Sequence, residues 1–166
     1  MAAQTWMGAL AAAVVTVLKA NADLYPSLSG GLINKIEVGL IDPFSSQDVT
    51  AADCDYISVS VPHHGNDTGK GPVGFCQFPT LIRISVVVAA NPQTAAELKM
   101  QSILSQVAYI LTGQKGSTPF GLIGAKIRAS ELNIGQGTFE HNRKDAAVWM
   151  ISGSNESTVL VDVDGH

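Results

Sequence analysis

Hydrophobic positions along the chain follow two periods in turn. Over residues 3–22, Trp6, Leu10, Val14, Val17 and Leu18 recur at i, i+4, i+8, i+11 and i+12, on one face of a predicted helix. The other positions are mainly Ala2, Ala3, Ala9, Ala11, Ala12, Ala13 and Val15. Such a surface favours helix and lets a neighbour approach closely. After a predicted loop over residues 26–31 the period becomes two. Ile36, Val38 and Leu40 alternate with Lys35, Glu37 and Gly39, a half-buried strand over residues 33–41 that Asp42-Pro43 stops. A polar stretch, 45–53, leads to a second alternating strand over 56–61, with Ile57, Val59 and Val61 opposing Tyr56, Ser58 and Ser60.

Residues 62–74 (PHHGNDTGKGPVG) hold glycines with Asn66 and Asp67 and predict a mobile loop. The β-branched run 80–90 predicts a central strand. Asn91-Pro92 predicts a helix start, with Asn as cap and Pro at the first helical position. The helix extends to about residue 112, with Met100, Ile103, Leu104, Val107 and Leu111 as its buried stripe and Gly113 as C-cap. Its outer face (Gln101, Ser102, Ser105, Gln106, Tyr109, Thr112) is polar but uncharged. A further strand is predicted over 122–132 and a loop around Gly135 and Gly137. The chain then closes in a C-terminal hairpin over 146–164: strands 147–151 and 158–164 joined by SGSNES as the turn. The predicted order is α-β-β-β-α-β-β-β. That implies one α+β domain over 1–166, with a mixed, mostly antiparallel sheet, two main helices packed on it and an extended loop at 45–74.

Composition sharpens this picture. Only 14% of the 166 residues are charged, against 46% hydrophobic, where a soluble domain averages about 25% charged. The excess of apolar residues excludes a disordered chain. A net charge of -4 excludes a phosphate-reading clamp. The apolar run 7–18 is shorter than the roughly 20 residues a membrane-spanning helix needs. No positive segment precedes it as in a secretory signal, so it is expected to be a structural helix of a protein made in the cytoplasm. Cys54 and Cys76 read as free thiols or as one disulfide. The charge is also unevenly placed. Residues 1–144 hold ten acidic and ten basic residues, so Asp145, Glu156, Asp162 and Asp164 carry the whole net charge.

Candidate chemistry is sparse. His63, His64 and Asp67 are the one cluster suited to a metal-dependent hydrolase. Adjacent histidines on an extended chain point to opposite sides, however, and a third ligand (Cys54, Asp55 or His141) would have to converge on them. Ser29 before Gly30-Gly31 lacks the GxSxG elbow. The glycines at 69–74 and 135–137 lack the phosphate-binding spacings. Arg83, Lys126 and Arg128 either line one sheet face or pair with strand carboxylates. No catalytic residue, cofactor or metal is assigned.

With the elements in order, the chain resembles phage tail terminators of the lambda type (the minor tail protein U family) and their contractile-tail relatives. The likeness rests on the N-terminal amphipathic helix, the short alternating strand NKIEVGLID, the long apolar strand TLIRISVVVAA and the helix NPQTAAELKMQSILSQVAYIL. It covers about residues 5–128. The segment 45–74 and the closing hairpin are longer than a minimal terminator needs. The resemblance implies a structural virion protein assembled in the host cytoplasm, not an enzyme. It implies a homohexameric ring in the tail–neck region that caps the tail tube. Tail tube, possibly sheath, and a head-closure or neck protein would be its partners, with DNA passing through unbound and no membrane involved. Trp6, Gln101, Ser105, Tyr109, His63, His64 and Lys70 are then the expected subunit or partner contacts. Glu156, Asp162 and Asp164 are expected to face the lumen and repel DNA. Another neck, tail-completion or baseplate protein, the metal-dependent hydrolase, and a ligand-binding domain with a pocket between sheet and helices remain open as alternatives.

Overall fold

The structure, a computed structural model, describes residues 6–25, 32–39, 50–121, 123–124, 126–145 and 147–165. The predicted order is observed: α1 (Trp6–Lys19), β1 (Lys35–Val38), β2 (Tyr56–Ser60), β3 (Phe75–Ala90), α2 (Gln93–Gly113), β4 (Ile127–Asn133), β5 (Gly137–Asp145) and β6 (Val148–Asp164). A single 3-10 turn, Ala51–Asp53, precedes β2. The strands form one mixed, mostly antiparallel sheet in the order β1-β2-β3-β6-β4, with β5 pairing β6 beyond the end of β4. Among the described residues, only the β1–β2 pair is parallel. The fold is α+β.

Both helices lie on one face of the sheet because alternate strand positions are apolar there. Ile57 and Val59 of β2, Ile82, Ile84, Val86 and Val88 of β3, and Ile151, Val159 and Val161 of β6 pack with Leu10, Val14 and Leu18 of α1 and Met100, Ile103, Val107 and Leu111 of α2. Each fully buried side chain of this size contributes about 1.5–3 kcal/mol. The opposite face carries Ser58, Arg83, Ser85, Ser154 and Glu156, with a small apolar patch of Val87 and Met150.

Four expectations need correction. First, SGSNES is not a turn: residues 148–164 form one continuous strand that pairs with β3 along its whole length. The period of two runs through it unbroken. Ile151, Gly153, Asn155, Ser157 and Val159 share the helix-bearing face, and the polar members are satisfied there. Asn155 Nδ2 donates to the Gly135 carbonyl at 3.1 Å, and Ser157 Oγ donates to Asn155 Oδ1 at 2.6 Å. Gly135 N–H donates back to Ser157 Oγ at 3.1 Å. The β4–β5 connection thus runs along the outer edge of β6, tied to its inward-facing side chains by hydrogen bonds. A Cβ on Gly135 would stand 1.6 Å from the Glu156 carbonyl oxygen, so only glycine fits. Second, the terminal hairpin is made by β5 and β6. The expected loop around Gly137 begins strand β5, whose polar residues lie mostly exposed at the sheet edge. Third, residues 50–74 of the stretch 45–74 are not one extended loop, because the predicted strand β2 lies inside them and is wholly buried, while 45–49 lie outside the described residues.

Fourth, residues 62–74 are pinned, not free. Gly65 N–H donates to Pro79 O at 2.7 Å, Thr68 N–H to Gln77 O at 2.9 Å, and Leu81 N–H to His63 O at 3.1 Å. This flap continues the line of β2 along β3, which itself begins earlier than the apolar run suggests. Pro79 is tolerated inside β3 because both its carbonyl and its missing N–H point to the irregular flap, not to β6. At the start of α2, Pro92 is the N-cap and Gln93 the first helical residue. Asn91 does not cap, and Gly113 closes the helix with Gln114 as C-cap. The predicted loop 26–31, which contains Ser29, lies outside the described residues.

Candidate interaction surfaces

The outer face of α2 is the first. Leu98 (63% exposed), Gln101, Ser105, Tyr109 (71% exposed) and Thr112 recur every three or four residues and are all exposed. The structure therefore brings Gln101, Ser105 and Tyr109 onto one uncharged stripe, opposite the buried stripe that the spacing predicted. Gln106 Nε2 donates to Asn21 Oδ1 at 3.3 Å and fixes α2 beside the end of α1. A cleft of about 400 Å³ between the two is lined by Val17, Ala20, Tyr109, Ile110 and Gly113.

The flap is the second. The Trp6 ring stacks on Phe78 with centroids 5.5 Å apart, and His64 meets Phe78 edge-on at 4.9 Å and Trp6 at 5.2 Å. Phe78 thus joins α1, the flap and β3. Phe78 shares the period of two with Thr80 and Ile82, the one signal in the sequence that marks it. Trp6 and His64 make contacts within the chain, while Lys70 and Val73 stand exposed at the flap tip.

Asp67 serves the flap's own backbone. Its Oδ1 accepts from Gly69 N–H and Gln77 N–H, both at 3.0 Å. These bonds hold its carboxyl below the usual carboxylate range. His64 Nδ1 lies 2.7 Å from the Gly65 carbonyl oxygen. Among the described residues, no three His, Cys, Asp or Glu side chains are grouped to hold a metal ion. His63, His64 and Asp67 therefore do not assemble the site that a metal-dependent hydrolase requires.

The third surface is the helix-free sheet face. The excess of acid at the C-terminal end of the sequence is not an excess in space. Glu156 pairs with Arg83 at 3.4 Å, Asp162 with Arg128 at 3.2 Å, and Asp164 with Lys126 at 3.8 Å. Arg83 also reaches Glu140 at 2.9 Å. Asp162 is only 3% exposed and accepts from Gln77 Nε2 as well, so it is a buried strut. The basic strand residues take the pairing alternative. Antiparallel register explains this, since Arg83 stands directly opposite Glu156 and Arg128 opposite Asp162. Between the charged rows, Ser58, Ser85, Ser154 and Thr138 line up across four strands.

Both cysteines are free. Burial, reinforced by the neighbouring Asp55 and Asp53 carboxylates, pushes the Cys54 thiol up to about 12. Burial and then Asp67 raise Cys76 as well. No helix among the described residues is long and apolar enough to cross a membrane.

No protein-family model matches this chain, and no curated protein matches its sequence. Among solved structures, it is similar to a chain from the "virion of native gene transfer agent (GTA) particle", with a TM-score of 0.55 and 17% identity, covering 95% of this chain and 99% of that one. At that identity the likeness is one of fold, and it extends over nearly the full length of both chains.

Proposed function

We propose that the chain is a structural virion protein of the tail–neck region, a ring-forming cap that ends tail-tube polymerisation and joins tail to head. The observation that carries this reading is the full-length fold likeness to a chain of a gene transfer agent virion, a phage-like particle. The element order of a tail terminator and the uncharged stripe on α2 support it, since interface cores are depleted in charge. In this reading Gln101, Ser105, Tyr109 and the flap tip at Lys70 contact neighbouring virion proteins. The helix-free sheet face, with Glu156 and Asp164 balanced by Arg83 and Lys126, lines the passage and gives DNA no net charge to hold. The role is architectural, with no reaction assigned.

The test is to add the purified chain to polymerising tail-tube protein from the same genome and measure tube lengths by electron microscopy. The expected result is arrest of growth, with density for this chain at one tube end. Unchanged lengths with no density at either end would overturn the terminator role. Binding to the head portal region alone would assign it to the head-closure proteins instead.

A further inference from the structure

This inference deepens the assembly reading above and rests on its claim that the chain meets neighbouring virion proteins. Between the start of α2 and β5, a recess of about 290 Å³ is lined by Glu97, Phe139, Glu140, His141, Asn142 and Ile151. Drug-sized ligands take pockets of roughly 300–1,000 Å³, so this recess suits a single side chain. Three of its groups have no partner among the described residues. Glu97 makes no ion pair or hydrogen bond, the Asn142 amide makes no hydrogen bond, and neither a ring nor a cation stands on Phe139, which is 46% exposed. The nearby cations are already used. Arg83 is shared between Glu140 and Glu156, at 2.9 and 3.4 Å, and Lys99 is held by Asp55 at 2.5 Å. The recess therefore offers an unpaired carboxylate, an unused amide oxygen and an open aromatic face.

We infer that this recess receives an arginine side chain of a different protein. A guanidinium is the cation that uses all three groups. Its N–H fork donates to the Glu97 carboxylate and to Asn142 Oδ1, while its plane lies on the Phe139 ring. A lysine ammonium is more strongly hydrated and has no plane to stack. An anion is repelled by Glu97 and Glu140. The arginine does not come from a second copy, because the three arginines of this chain are committed within it. Arg83 holds Glu140 and Glu156, Arg128 holds Asp162 at 3.2 Å, and Arg143 donates to the Met150 sulfur at 3.8 Å. The recess also adjoins the uncharged α2 stripe, since Gln101 follows Glu97 by one helical turn. Neutral contact along the stripe supplies area, and the arginine on Glu97 fixes register and selects the partner, as complementary charge does at interfaces.

The test titrates the isotope-labelled full chain with N-acetyl-arginine amide and follows backbone amide shifts by NMR. The expected result is saturable shifts confined to residues 139–142 and the first turns of α2. The citrulline analogue, which keeps the shape without the charge, is expected to bind about 3–10-fold more weakly, and Glu97→Gln to weaken the arginine probe by the same factor. Phe139→Leu, which keeps the bulk without the ring, is expected to weaken it about 2–5-fold. Amide shifts outside the recess report the fold of each variant, and the citrulline arm tests the charge without any substitution. An arginine probe that shifts nothing at the recess overturns the inference. So do a citrulline analogue that binds equally well and a Glu97→Gln chain that binds the probe unchanged. Self-association of wild type that is lost in Glu97→Gln assigns the recess to a second copy and also overturns it. Tube capping that fails while the probe binds refutes the assembly reading and leaves the recess standing. Capping by a chain that binds no probe does the reverse.

Discussion

Gly135→Ala perturbs the point where the β4–β5 connection presses closest on the edge of β6. The added methyl would lie 1.6 Å from the Glu156 carbonyl oxygen and 2.8 Å from its carbonyl carbon. Both are backbone atoms of the strand that pairs with β3 from end to end, so β6 cannot retreat and the connection must lift. Overpacking of this kind costs about 1–3 kcal/mol. Lifting also breaks the Gly135 N–H to Ser157 Oγ bond and the Asn155 Nδ2 to Gly135 carbonyl bond, both 3.1 Å. Asn155 is fully buried, and leaving such a group without its partner costs about 1–3 kcal/mol. The sum is roughly 2–6 kcal/mol, a large share of the 5–15 kcal/mol that holds a typical domain. For a chain of this size that is a fall in Tm of about 4–24 °C. Differential scanning calorimetry measures it directly. Asn155→Ala, which removes the Nδ2 bond to the Gly135 carbonyl and the Ser157 bond to Oδ1 without the clash, should cost less than Gly135→Ala. A Tm within about 2 °C of wild type for Gly135→Ala would refute this close approach.

Asp55→Ala removes a buried carboxylate that accepts from Ala89 N–H at 3.1 Å and pairs with Lys99 at 2.5 Å. The Lys99 side chain is 30% exposed and can turn to water, so the expected loss is about 2–3 kcal/mol, chiefly from the orphaned amide, read as a shift in the urea midpoint at unchanged slope. The flap should loosen in acid. Asp67 has a lowered folded pKa, so its contribution is present above its ordinary value of 3.8 and is lost as pH falls through the lower folded value. The Gly69 and Gln77 amide resonances should titrate together below that pH, and Asp67→Ala should make Lys70 a trypsin site at neutral pH. Independent titrations, or a flap equally resistant in Asp67→Ala, would contradict this. Cys54 should react with iodoacetamide far more slowly than a free thiol at pH 8, because almost none of it is thiolate when its pKa is about 12. Rapid labelling at Cys54, located by peptide mapping, would contradict its burial.

The elements legible in the sequence were those whose period was written in apolar residues. Alternation at Ile36, Ile57 and Val59, and the stripe Met100–Leu111, placed β1, β2 and α2 because one face of each is in the core. The misread segments obey the same geometry with different chemistry. SGSNES looks like a turn because serine, glycine and asparagine dominate turns. Yet Gly153, Asn155 and Ser157 continue the inward period, and the Gly135 that partners Asn155 and Ser157 lies on the β4–β5 connection, which no local pattern reveals. β5 shows no alternation because it is an exposed edge with no buried face to encode. Of the candidate sites, the α2 stripe was legible, since Gln101, Ser105 and Tyr109 share a helix face by spacing alone. The charge segregation was real in sequence but not in space. Glu156 and Asp162 face Arg83 and Arg128 through strand pairing, which the linear order of residues does not show. Likewise, Asp67 was legible as a loop residue but not as the group that replaces a backbone acceptor for Gln77.

The central claim is that this chain is a structural part of a tail–neck assembly. Deleting its coding sequence from the genome that carries it, and imaging the resulting particles by electron microscopy, tests that most directly. The expected result is tubes of uncontrolled length that stay separate from filled heads, with both defects reversed when the chain is supplied in trans. Particles with tails of normal length joined to their heads would contradict it.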